Sequence, residues 1–181
     1  MIADALGFPF EKAAAKGYVH VAGNLPYHIT GMIMRRVFEA SRFLKSAVFM
    51  IQNEVADRLV SSSGSERSLL TLAAELHCAS REKVFTVSPA SFRPQPKVQS
   101  GVIRLTFREK ALLDPSAEAR FFTMLKAAFS QKRKTLHNTL AELAGGKKEA
   151  AEKLSAAGVE SSRRAETLTL EEAIKLAGRF S

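Results

Sequence analysis

Residues 18–51, YVHVAGNLPYHITGMIMRRVFEASRFLKSAVFMI, decide the fold. Tyr18 to Gly23 carries β-branched residues and stops abruptly at Gly23-Asn24, which predicts a short strand followed by a turn containing Pro26. Ile29, Met32, Ile33, Val37 and Phe38 then recur at the spacing of one helical face, so a helix is expected over 29–40. Ser46 to Ile51 is a continuous apolar run, as expected of a parallel strand covered on both faces. Glu54 to Val60 is helical by propensity, Ser61 to Glu66 reads as a loop, and Ser68 to Ala79 as another helix. Strand, helix, strand, helix in this order predicts an α/β protein with a doubly wound parallel sheet.

Downstream the character changes. Lys83 to Val87 and Val98 to Phe107 alternate as strands, and Ser88 to Lys97 between them holds Pro89, Pro94 and Pro96. Prolines cannot donate to a ladder and they keep the chain extended, so this segment is expected to be a stiff loop. From Asp114 on no strand is predicted. Asp114-Pro-Ser116 starts a helix that runs on through 117–130, another is expected over Thr135 to Leu143, and Gly145-Gly146 and Gly158 punctuate two more. The expected domains are residues 1–107, a partial Rossmann-like sheet, and residues 108–181, a small all-helical domain.

The 181 residues are 46% hydrophobic and 25% charged, which is ordinary for a folded chain and argues against disorder. Twenty-seven Lys and Arg against 18 Asp and Glu give a formal charge of +9, which favours a polyanionic partner. The excess is spread evenly: residues 1–107 carry 13 basic and 8 acidic groups, and residues 108–181 carry 14 and 10. A single cysteine, Cys78, points to a reducing compartment. The first ten residues have no basic and apolar signal pattern, and no run approaches the roughly 18 apolar residues of a membrane span. A cytoplasmic location is expected. Histidines 20, 28, 77 and 137 are scattered, so no metal site is expected, and the lack of a Gly-x-Ser-x-Gly elbow speaks against a hydrolase.

Ligands of an open parallel sheet bind beyond the carboxyl ends of its strands, which directs attention to Asn24-Leu25-Pro26-Tyr27. These residues suit methylation of the exocyclic amine of adenine, a poor nucleophile because its lone pair is delocalised into the ring. The Asn24 side-chain oxygen and the Leu25 carbonyl can each accept one amine hydrogen and so localise the lone pair. Pro26 restricts Leu25 to extended geometry, and Tyr27 offers a face on which a base can stack. The other reading is a plain turn, since Asn and Pro are common turn formers.

Gly23 to Thr30, Met50 to Leu59, Ser91 to Ser100, Gln131 to Leu136 and the late Arg164 to Glu172 follow one another as successive motifs. In that order they resemble the rRNA adenine dimethyltransferases, also called dimethyladenosine transferases or kasugamycin-resistance methylases. The resemblance implies S-adenosylmethionine-dependent dimethylation of two adjacent adenosines in a hairpin loop near the 3′ end of small-subunit rRNA, by a monomer that works on the assembling ribosome. It makes Asn24, Leu25, Pro26 and Tyr27 the catalytic motif. Phe92 is similar to the aromatic that closes on the other face of the flipped base, and Asp4 to the acidic residue that contacts the adenine of the cofactor, with Asn24 also on the cofactor side. Arg93 and Lys97 flank Phe92 and become candidate phosphate contacts. So do Lys132, Arg133 and Lys134, which otherwise read as cations ending a helix.

The family also has a glycine-rich turn and an acidic ribose ligand upstream of the segment that matches Met1 onward. No two of the ten glycines here are separated by one residue, so an incomplete cofactor site is expected, in a fragment or a degenerate relative. His28 stands where the family commonly has Asn and is read as a solvent-facing turn residue. Arg35, Arg36, Arg42, Lys45, Arg163 and Arg164 read as solvated cations with an RNA role as the alternative. Glu54 and Arg58 are spaced for an i,i+4 pair. The rival functions are a non-catalytic RNA-binding or assembly factor, and an adenine methyltransferase acting on large-subunit rRNA or DNA.

Overall fold

The computed structural model describes residues 4–17, 19–61 and 67–180; Tyr18 and most of the expected loop at 61–66 lie outside the described residues. By contacts the chain divides into two units, Met1–Ser61 with Ala73–Ala111, and Ser62–Leu72 with Leu112–Ser181. The expectation was a single cut at 107/108, which leaves residues 62–72 with the first part.

The first unit holds α1 (Phe10–Ala13), β1 (Val19–Asn24), α2 (Thr30–Glu39), β2 (Leu44–Gln52) and α3 (Asn53–Val60). Then come α4 (Leu69–His77), which begins in the second unit, and β3 (Cys78–Val87) and β4 (Ser100–Phe107). The sheet order is β1-β2-β4-β3. Only β1 and β2 are parallel; β2 with β4 and β4 with β3 are antiparallel. The sheet is therefore mixed, which corrects the expectation of a parallel one. The cause lies in the proline-bearing connection at 88–99: it holds one short 3-10 turn, Pro89–Ser91, and no crossover helix, so the chain returns antiparallel and inserts between β2 and β3.

Two further expectations fail for related reasons. Cys78 and Ala79 do not extend α4 but open β3, because Cys78 pairs with Phe107 and the long apolar β4 recruits a partner over its whole length. Nor is β2 covered on both faces. Ala47, Phe49 and Ile51 are buried, whereas Val48 is 38% exposed. Full burial of a side chain such as Phe49 contributes about 1.5–3 kcal/mol, so the alternate positions anchor the strand. α3 crosses β4 closely: a Cβ at Gly101 would stand 2.7 Å from that of Ala56. α2 buries Ile33, Val37 and Phe38 as its periodicity requires, but Met34 takes the place expected for Met32, which is 50% exposed, and Arg35 pairs outside with Glu39.

The second unit contains no strand among its described residues. It comprises α5 (Pro115–Ala128), α6 (Leu136–Thr139), α7 (Ala141–Ala144), α8 (Lys147–Ala156) and α9 (Leu170–Ala177) around buried Phe121, Met124, Leu125, Leu154 and Leu176. Asp114 caps α5 by accepting the Ala117 N–H at 2.9 Å, and Pro115 occupies the first turn. The helix expected over 135–143 is two single turns joined at Leu140. α8 ends at Gly158, φ +72°, with the Val159 N–H bonded to the Leu154 carbonyl and both side chains buried. No described helix is long and apolar enough to cross a membrane.

Candidate nucleic-acid base site

β1 ends at Asn24, opposite Met50 of β2. The ladder continues one step further, since the Leu25 N–H donates to the Met50 carbonyl at 3.0 Å, and the Leu25 side chain turns inward to 7% exposure. Pro26 then bends the chain into a 3-10 turn, Tyr27–Ile29. The Pro26 carbonyl accepts from the Ile29 N–H at 3.2 Å and from the buried Thr30 hydroxyl at 3.0 Å. The corner is thus fixed before and after Leu25. The Asn24 side chain and the Leu25 carbonyl, by contrast, have no hydrogen-bond partner among the described residues.

Asn24, Leu25, Pro26 and Tyr27 line one cleft of about 280 Å³ together with Phe92, Pro94 and Pro96. The proline-bearing loop delivers Phe92 there because the Ser88 hydroxyl caps its 3-10 turn and the Phe92 N–H donates to the Pro89 carbonyl, leaving Phe92 extended and half-buried. The far end of the loop is clamped: the Asn53 N–H donates to the Gln99 carbonyl, Asn53 Nδ2 to Asp57, and Lys83 is ion-paired with Asp57. Tyr27 is half-buried, and its phenol oxygen lies 2.8 Å from the Oγ of buried Ser100. Neither the clamp nor Ser100 was anticipated from the sequence. Ser100 opens β4 on the face opposite the one where Gly101 meets Ala56, and it is buried there beside the Tyr27 phenol, a long-range contact for which the sequence holds no local signal.

The other candidates are placed apart from the cleft lining. Asp4 is exposed and accepts the Leu6 N–H at 3.0 Å as cap of the 3-10 turn Ala5–Gly7. Arg93 and Lys97 are exposed in the loop that carries Phe92, and neither is ion-paired to a described residue. Lys132, Arg133 and Lys134 belong to the second unit. They do not end α5, which stops at Ala128, but stand exposed in a turn closed by the Lys134 N–H on the Gln131 carbonyl. His28 is exposed on the turn after Pro26. Arg58 pairs with Glu54.

Several of the remaining cations are structural. Arg163 grips Glu172 through both terminal guanidinium nitrogens, at 2.7 and 2.9 Å, while Glu172 forms a capping box with Thr169 at the start of α9. The Arg163 guanidinium holds the Glu172 carboxyl down at about 2. Arg35 and Arg36 share Glu39, and Lys45 pairs with Glu109. Burial pushes the Cys78 thiol up to about 12, which removes it as a nucleophile. No group of His, Cys, Asp or Glu among the described residues is arranged to hold a metal ion.

The family model described as "Ribosomal RNA adenine dimethylase" matches residues 1–180. The protein named "Ribosomal RNA small subunit methyltransferase A" from Desulfitobacterium hafniense (strain DSM 10664 / DCB-2) is 43% identical over 171 residues, covering 93% of this chain and 61% of its own length. Its namesake from Myxococcus xanthus (strain DK1622) is 42% identical over 166 residues, covering 90% and 58%. The chain therefore spans about three-fifths of the length of these curated relatives. Among solved structures, a dimethyladenosine transferase from Plasmodium falciparum matches with a TM-score of 0.76 at 26% identity, over 97% of this chain and 70% of that one. The 23S rRNA methyltransferase ErmE matches at 0.68 and 25%, over 98% and 70%.

Proposed function

Because the chain belongs to the ribosomal RNA adenine dimethylase family, we propose that it takes part in transferring methyl groups from S-adenosylmethionine to the exocyclic amines of two adjacent adenosines, in a hairpin loop near the 3′ end of small-subunit rRNA. It acts in the cytoplasm, as a monomer, on the assembling small subunit. The observation that carries this reading is the single cleft that joins Asn24, Leu25 and Tyr27 to Phe92.

The roles follow from the geometry. Asn24 and Leu25 present two acceptors without partners among the described residues on a rigid corner, and each takes one amine hydrogen, which favours a pyramidal nitrogen and takes its lone pair out of conjugation with the ring. Tyr27 and Phe92 hold the base between them; stacking contributes about 1–3 kcal/mol per aromatic, enough to offset the few kcal/mol of extruding the base. Among the residues lining the cleft there is no carboxylate or imidazole, so the proton displaced from the methylated amine leaves to water. Arg93, Lys97 and the turn at 132–134 bind phosphates and add salt-dependent affinity.

When bound, S-adenosylmethionine supplies an electrophilic methyl group on a sulfonium. The residues of this chain fit that group only in part. The cleft lining, Asn24, Leu25, Pro26, Tyr27, Phe92, Pro94 and Pro96, offers aromatic faces and acceptors for a base but no acidic side chain for a ribose. No Gly-x-Gly turn stands in the sequence. Asp4, with one carboxylate oxygen engaged by Leu6, is the residue proposed for the adenine of the donor.

Methyl incorporation by the native protein into small-subunit rRNA, large-subunit rRNA and DNA tests the reading. Incorporation confined to small-subunit rRNA and lost in Asn24→Ala is expected. Tight RNA binding without any incorporation favours the non-catalytic assembly factor instead. The relatives named for the small subunit, at 42–43% identity against 25% for the 23S enzyme, favour the small-subunit substrate.

A further inference from the structure

We propose that Ser100 is a positioning residue for the target base: it fixes where the Tyr27 ring stands through the phenol and never touches the base itself. The proposal rests on the Asn24–Tyr27 corner being the base site. The Tyr27 phenol oxygen and Ser100 Oγ are 2.8 Å apart across 73 residues of chain. Ser100 is 1% exposed, so water does not compete for its hydroxyl.

The backbone of Ser100 has no freedom to follow the ring. It pairs with Gln52 of β2 on one side and with Val87 of β3 on the other. Gln99 before it accepts the Asn53 N–H, and Gly101 after it is packed under Ala56. A tyrosine side chain rotates about two bonds: a fixed partner at the phenol oxygen removes the first freedom outright, and it restrains the second only through the preference of the conjugated O–H for the ring plane, because that oxygen lies on the second rotation axis. The ring is thereby tethered by its edge, which leaves its faces for stacking. Tyr27 sits on a single 3-10 turn exposed to the cleft, where no strand partner would otherwise hold it. The same bond couples the base site to the α3–β3–loop clamp of Asn53, Asp57 and Lys83, because that clamp fixes where β4 begins.

The test uses the native protein and two hairpin RNAs: one carries 2-aminopurine at the target position, whose fluorescence lifetime shortens when the base stacks on an aromatic, and the other carries adenosine there and gives kcat, since 2-aminopurine has no 6-amino group to methylate. Ser100→Ala and Tyr27→Phe are each expected to lower the stacked fraction and kcat about 3- to 10-fold. Affinity for the RNA, set by phosphates, stays unchanged. The double variant should be no worse than either single one, because both remove the same bond, and Ser100→Thr should restore the signal. Losses that multiply in the double variant, or an unaltered lifetime in Tyr27→Phe, overturn the proposal; Tyr27→Phe decides the matter even if Ser100→Ala does not fold. Tyr27→Ala separates the two levels. If it leaves lifetime and methylation intact, the base-site reading itself is wrong; if it abolishes both while Tyr27→Phe and Ser100→Ala change nothing, only the positioning role is wrong.

Discussion

The corner at Asn24–Tyr27 and the fork at Arg163–Glu172 are both polar and both rigid, yet they spend their hydrogen-bonding capacity in opposite ways. At the fork every strong acceptor is satisfied within the fold: Glu172 takes two bonds from Arg163 and one from the Thr169 N–H. At the corner the backbone is pinned on either side of Leu25, while the Leu25 carbonyl and the Asn24 amide are left for an outside group. The difference separates groups that stabilise the chain from groups available to a ligand, although both lie in segments that look alike as polar turns.

The largest effect should come from the corner. Asn24→Ala is expected to lower methyl transfer by the native protein by roughly 10²–10³, the magnitude typical of removing one preorganised hydrogen-bonding group. Its melting temperature should hardly move, because the Asn24 side chain makes no hydrogen bond to a described residue. A large drop in thermal stability would break the contrast. The fork should show the reverse. Arg163→Ala is expected to cost about 1.5–3 kcal/mol in urea unfolding, as for hydrogen bonds to charged groups, with methyl transfer per folded molecule unchanged.

Acidification sharpens the comparison through two groups of different origin. Burial against Phe38 and Ser41 lowers His77 to about 4, so it stays neutral in the folded chain while the unfolded chain takes up its proton. Stability is therefore expected to fall as pH drops from 6.5 toward 4, by on the order of 3 kcal/mol at most. Replacement of His77 by Gln flattens that window. Glu172, depressed to about 2 by Arg163, contributes stability that is complete above pH 4.5 and lost as pH falls through 2. NMR titration of the two side chains checks each value. The smallest effect belongs to the exposed turn: Lys132→Ala should weaken RNA binding evenly across sequences and reduce the slope of log K against log salt by about 1.

Much of the site was legible beforehand because it is short-range. Four consecutive residues carry the acceptors, the bend and the ring, and Pro26 constrains its neighbour through local sterics alone. The Asp114 cap, the Gly158 terminus and the Glu54–Arg58 pair were readable for the same reason, since i,i+3 and i,i+4 relations are written into any helix. The direction of β4, the start of β3 at Cys78 and the open face beneath Val48 were not. Those depend on which strands become neighbours, and an apolar run reads alike whether its partner is parallel or antiparallel, covered or bare.

The residues themselves thus determined an aromatic ring beside two carbonyl-type acceptors at the end of a strand, because bond geometry within a few residues suffices for that. Only the tertiary structure decided that Phe92 lines the same cleft as this ring and that the Ser100 hydroxyl meets its phenol, because contacts between residues some 70 positions apart are set by strand register and loop path, for which no local pattern codes.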